Sequence, residues 1–241
     1  MKYFHSGALT IAIASVVLVS GIGSANASST TFNGIDDGAA VGGPFINSVA
    51  AESSFLAAAG SYGTPYTITF EDIPVGYNSN FTAAPGVNIS LSGPDYGYGY
   101  SGVSDTTYGN LYGFNVTSGG SHWLGFPDGS ATFTFAQPQH AFGAYFTGLQ
   151  STFGTTLTVN YSDGSSSQTF DLTVQDNGGA QYFGFTDTTA FSSVTISRPG
   201  IDAWGIDNVT VTAVPEPETY AMLLAGLGLL GFAARRRQQN A

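Results

Sequence analysis

Thr156-Leu-Thr-Val-Asn-Tyr161, Ser162-Asp-Gly-Ser165 and Gln168-Thr-Phe-Asp-Leu-Thr-Val174 lie almost end to end in this chain. In the first stretch Leu157, Val159 and Tyr161 alternate with polar residues, the period of two that marks a half-buried strand. The middle stretch supplies the turn, because Asp163 and Gly164 tolerate positive φ at little cost. Together the three predict an antiparallel hairpin with Leu157, Val159 and Tyr161 on one face.

The same rhythm extends in both directions. On the N-terminal side, strands are expected over 131–135 and 141–147, joined through Gln137-Pro138. On the C-terminal side they are expected over 181–185, 194–198 and 204–212. Further upstream, Tyr66-Thr-Ile-Thr-Phe70 alternates until Glu71-Asp72-Ile73-Pro74, where proline closes the strand. Residues 87–91 alternate as well. Residues 94–120 are rich in Gly, Tyr, Ser and Asn and read as long loops around one short strand at 111–116. A single helix is expected where Ile46, Val49, Ala50, Ser53, Leu56 and Ala57 fall at helical spacing, with Asn47 or Ser48 as cap and Gly60 as stop. About ten short strands without a βαβ rhythm predict an all-β, jelly-roll-like two-sheet sandwich with one short N-terminal helix. An up-and-down barrel is the alternative.

Both flanks of this body read as addresses. Lys2 opens a short basic region, residues 8–22 are mostly apolar, and Ala25-Asn26-Ala27 is a small-x-small exit before Ser28, so residues 1–27 are expected to be a signal peptide. At the other end, Val214-Pro215-Glu216-Pro217 is held extended by its prolines. An uncharged run of 15 residues follows, shorter than the ~20 that a helix needs to cross hydrocarbon. Arg235, Arg236 and Arg237 come next and would keep that end on the cytoplasmic side. The domains expected are therefore 1–27, a sandwich over 28–213, and a sorting segment with a short transmembrane helix over 214–238.

Charge limits the partners. The chain carries 16 acids against five Lys and Arg. Without the two flanks, fourteen acids face Arg198 alone, a net charge near −13. Such a surface repels nucleic acid and anionic lipid. There is no cysteine, so disulfides and thiolate metal sites are excluded.

The tail resembles the PEP-CTERM sorting signal of exopolysaccharide-producing Gram-negative bacteria, on Pro215-Glu216-Pro217, the Gly/Leu-rich segment 222–232 and Arg235 to Arg237. The resemblance implies processing near Pro-Glu-Pro by a membrane-embedded exosortase, after transient inner-membrane insertion, and delivery to the envelope, the matrix or the outside. The body resembles a PEP-CTERM-associated sandwich on Phe70-Glu71-Asp72, Gly86-Val87 and Trp204-Gly-Ile-Asp207-Asn208-Val209. In sandwiches of this appearance, acids of the first and last strands share a structural Ca²⁺, which would place Glu71, Asp72 and Asp207 at an oxygen-ligand site. Strand parity points the same way for two of them: Asp207 shares parity with Val209 and Val211, and Asp72 with Ile68 and Phe70, so both would face inward, while Glu71 points the other way unless the strand has already bent. The competing reading has these acids bonding to backbone amides.

Catalytic patterns are scarce. His122 and His140 belong to no H-x-x-x-H or H-E-x-x-H motif, and no G-x-S-x-G elbow occurs. Asp36, Asp37 and Asp187 are the remaining carboxylates to consider for glycosidic cleavage, which demands a definite separation. Two G-x-G-x-x-G matches, at 97–102 and 226–231, lack the strand-turn-helix setting of dinucleotide binding. The recognition surface expected from sequence is aromatic: Tyr96, Tyr98 and Tyr100, with Trp123 nearby, would stack on sugar rings. The function expected is that of a non-catalytic exported envelope or matrix protein associated with exopolysaccharide. A carbohydrate-binding module is the alternative and a secreted hydrolase a distant third.

Overall fold

A computed structural model of the protein describes residues 28–93, 101–109, 112–172, 177–198, 203–213 and 225–227. The elements run β1 (Ser29–Asp37), α1 (Ile46–Ala59), β2 (Thr64–Ile68), β3 (Gly76–Tyr77), β4 (Asn80–Ala84), β5 (Val87–Ser92), β6 (Gly102–Ser104), β7 (Trp123–Phe126), β8 (Gly129–Thr147), β9 (Thr156–Tyr161), β10 (Gln168–Asp171), β11 (Gly179–Arg198) and β12 (Trp204–Ala213). The protein is mostly antiparallel β, as its alternating pattern demands.

The expected hairpin forms. Strands β9 and β10 pair with Val159 opposite Gln168 and Leu157 opposite Phe170. Asp163 accepts from the Ser165 amide (2.9 Å), Gly164 sits at φ 79°, and Leu157, Val159 and Tyr161 are all buried.

Strands β8 and β11 organise the rest. Sequence divides each into two strands, but each is one long strand that bends and changes partners. The first half of β8 pairs with β5 and with the second half of β11; its second half pairs with β12 and the first half of β11. Strand β11 does the reverse, joining β9 after its bend and β1 before it. The bends lie where sequence suggests breaks: Pro138 falls between the two ladders, and the β11 register shifts between Thr186, Phe191 and Ser193. A proline is tolerated there because the ladder is already interrupted. Two layers result from one continuous open network of twelve strands. Phe133 meets Phe142 edge-on across the gap (5.5 Å between centroids), and Phe135 meets Phe191.

The outer face of the second layer is covered by α1. Phe55 and Ala59 pack on Ala141, Tyr145 and Tyr182. The helix comes this close because glycines line its path: Gly184 pairs with Gly143 and with Phe32, and Gly34 pairs with Tyr182. A Cβ on Gly34 would collide with the Asn47 carbonyl, and one on Gly184 would press into the Phe55 ring. The buried side of α1 is therefore Ser48, Phe55 and Ala59, not the face expected from Ile46 and Val49, which are 71% and 49% exposed. The cap also differs, for Asp36 of β1 accepts from the Asn47 (3.0 Å) and Ser48 (2.8 Å) amides.

The strand expected at 111–116 is a loop over its described residues. Its amides bond elsewhere: Phe114 donates to the Thr147 hydroxyl (2.9 Å) and Val116 to Asp207 (2.8 Å). Among the described residues no helix is long and apolar enough to cross a membrane. The expected signal peptide and all but 225–227 of the expected membrane segment lie outside the described residues.

Candidate functional site: a cleft behind a clamped loop

Two irregularities in the backbone build the site. Strand β2 ends at Ile68, and Phe70 then takes φ 64°. That bend swaps the parity expected of Glu71 and Asp72, so Glu71 turns to the protein and Asp72 is exposed. The second irregularity is in β12, where register shifts between Asp207 and Thr210 and Asn208 takes φ 49°. An irregularity of this kind re-aims side chains. Ile206 and Val209 both face the core while Asp207 pairs with Tyr145, which belongs to the helix-covered face. Asp207 is fully buried, as parity suggested, but on the opposite side of the sheet from Val209 and Val211.

Both carboxylates grip one loop. Glu71 accepts from the backbone amides of Ser121 (2.9 Å) and His122 (2.9 Å) and from the Asn115 amide group (3.0 Å). Asp207 accepts from the amides of Val116 (2.8 Å), Thr117 (3.2 Å) and Asn208 (2.7 Å), and from the Thr117 hydroxyl (3.3 Å). Thr117 also donates to the Asn208 side chain (2.6 Å), and Asn115 donates to the His122 carbonyl (2.9 Å). Every one of these donors would otherwise need water or a ladder partner. Burial pushes the Asp207 carboxyl up to about 7, with the amide bonds pulling it back only in part.

This arrangement is unsuited to Ca²⁺. A cation needs oxygen ligands, whereas N–H groups already point at both carboxylates. Glu71 and Asp207 converge on the loop without Asp72, and among the described residues no group of three or more His, Cys, Asp or Glu stands close enough to hold a metal ion. The backbone-amide reading of these acids fits the geometry.

Residues 115–121 form one lip of a cleft of about 460 Å³, and the turn carrying Val41 and Phe45 forms the other. Phe45 stacks on Phe114 with ring centroids 6.1 Å apart. Thr106 and Ser118, both exposed, line the cleft, and so does Trp123. Trp123 is 1% exposed and its indole N–H is taken by the Tyr112 carbonyl (2.8 Å). It is thus a structural wall and not the open stacking platform expected; Tyr96, Tyr98 and Tyr100 lie outside the described residues. Sequence reading missed Phe45, Thr106 and Ser118. The Gly- and Ser-rich composition of 117–121 signalled only a loop.

Of the carboxylates considered for glycosidic cleavage, Asp187 is held far from the neighbouring Asp36 and Asp37. Asp36 pairs with Ala180 at one end of β1, and Asp187 pairs with Ser29 at the other. Seven residue steps along the strand separate them, about 23 Å at ~3.3 Å per residue, against the ~5–9.5 Å that glycosidases use. Asp187 instead accepts from the Tyr161 hydroxyl (2.7 Å), and Asp37 from the Asn177 side chain (2.8 Å). His140 bonds the Asp187 carbonyl (2.9 Å) and His122 the Phe70 carbonyl (3.3 Å) through Nδ1.

Residues 213–237 match the PEP-CTERM protein-sorting motif. The chain is thus a β-rich domain carrying a C-terminal PEP-CTERM sorting motif, which supports an exported protein sorted by an exosortase. The match takes in Pro215, Glu216, Pro217, Arg235, Arg236 and Arg237, all outside the described residues. No curated protein matches the chain.

Proposed function

We propose that this is a non-catalytic exported protein, cut near Pro215-Glu216-Pro217 by an exosortase and displayed as a jelly-roll-like sandwich in the envelope or extracellular matrix, in association with exopolysaccharide. The observation that carries the reading is the sorting motif at 213–237. Residues 1–27 act in it as the signal peptide, and the short apolar run before Arg235 as a transient inner-membrane anchor. The body supports a role in display: its acids cap a helix and clamp a loop. Its net negative surface disfavours nucleic acid.

The test is replacement of Pro215, Glu216 and Pro217 together by alanine in a host with an exosortase. Accumulation of the uncut chain in the inner membrane is expected, with loss from the envelope and medium. Unchanged processing and location would refute the reading. The cleft at 115–121 favours a second reading, in which the displayed domain itself binds carbohydrate.

A further inference from the structure

We infer that the cleft between the Val41–Phe45 turn and the 115–121 loop is a binding site for a short segment of a neutral polysaccharide. The inference deepens the proposed association with exopolysaccharide and rests on it for the biological ligand, though not for the binding chemistry. Three features of the cleft define what fits. Its volume of about 460 Å³ falls within the ~300–1,000 Å³ of small-ligand sites. Its lining mixes an aromatic residue, Phe45, and Val41 with the hydroxyl-bearing residues Thr106, Ser118 and Ser121. None of the residues lining it is charged, among those described.

Sugar chemistry meets each feature. The C–H face of a pyranose covers apolar surface, and its hydroxyls both donate and accept towards Ser and Thr. A wholly apolar ligand would strip water from those hydroxyls without replacing the bonds. An anionic ligand would meet no Lys or Arg among the described lining residues, with Glu71 beneath the loop and Asp105 capping the turn that carries Thr106. The clamp matters for affinity as well. Glu71 and Asp207 hold the lip in place before any ligand arrives, so little ordering cost remains to be met on binding.

The test uses the full chain, purified in a detergent without a sugar head group. Binding is titrated with dextran, a β-1,3-glucan and a galactomannan as neutral probes, and with alginate as the anionic one. We expect at least one neutral glycan to bind, with amide shifts in the wild-type protein centred on Thr106 and residues 117–121. Thr106→Trp and Ser118→Trp should each weaken that binding about tenfold or more, while Ser165→Trp, in the β9–β10 turn, leaves it unchanged. Melting curves show whether each variant is folded, and the wild-type shift map decides the matter without them. Shifts elsewhere, no binding to any neutral glycan, or equal binding of alginate would overturn the inference. None of these outcomes depends on processing of the tail, so this test and the alanine replacement at Pro215–Pro217 fail separately.

Discussion

Asp207 is the residue on which most of the local architecture turns. Unfolded, it titrates near 3.8; folded, burial raises it to about 7. Between those values the native state holds a proton that the unfolded chain has released. Its contribution to stability is therefore complete below the unfolded value and lost as pH rises through about 7, at up to ~1.4 kcal/mol per unit. Asp207→Asn should abolish that slope in urea midpoints measured from pH 4 to 8; an identical slope in the variant would contradict the assignment. Asp36 works in the opposite sense. Burial alone would raise it, but the bonds from Asn47 and Ser48 outweigh that and lower it, so its contribution is present above 3.8 and lost in acid. Glu71→Ala strands two loop amides and should cost about 1–3 kcal/mol, with faster hydrogen exchange at Ser121 and His122. Because amides occupy both carboxylates, melting temperatures in calcium and in chelator should coincide; a rise of several degrees with calcium would reverse that conclusion. Little of this was legible in the sequence. Period-two counting assigns parity correctly only while the strand stays regular, and the positive φ values at Phe70 and Asn208 break it at the two residues that build the clamp.

At the scale of elements, legibility follows how local the signal is. The β9–β10 hairpin announces itself because alternation and an Asp-Gly turn sit within a few residues of each other. Strand β1 does not, since Ser29-Thr-Thr-Phe-Asn-Gly-Ile-Asp-Asp37 shows no clean alternation and gains its order from pairing with residues 179–187. Strands β8 and β11 look like two strands each because Pro138 and the polar run 186–189 resemble loop sequence, whereas they are bends in continuous strands. The helix was legible in extent but not in facing, which the glycines of β1, β8 and β11 decide. Gly184→Ala would push Cβ to 2.7 Å from the Phe55 ring and should cost about 1–3 kcal/mol by overpacking. Phe55→Ala should cost about 3–5 kcal/mol. Both are read from denaturant midpoints, and a neutral result at either position would mean that α1 is not seated as described.

For the molecule as a whole, the division of labour is between a cysteine-free β body and a short C-terminal address. The body relies on aromatic packing across its two layers and on carboxylates spent on backbone amides. The address was legible from sequence because it is linear: its order of Pro-Glu-Pro, apolar run and arginines needs no tertiary context. The cleft was not, because Phe45, Thr106 and residues 115–121 are brought together only by the fold. The central claim is that the tail delivers the body and is then removed. Mass spectrometry of the C-terminus of the protein recovered from the envelope and medium tests it directly. The account predicts an end close to Pro215–Pro217, without Arg235, Arg236 and Arg237; mature protein that still ends in Arg235 to Ala241 would contradict it.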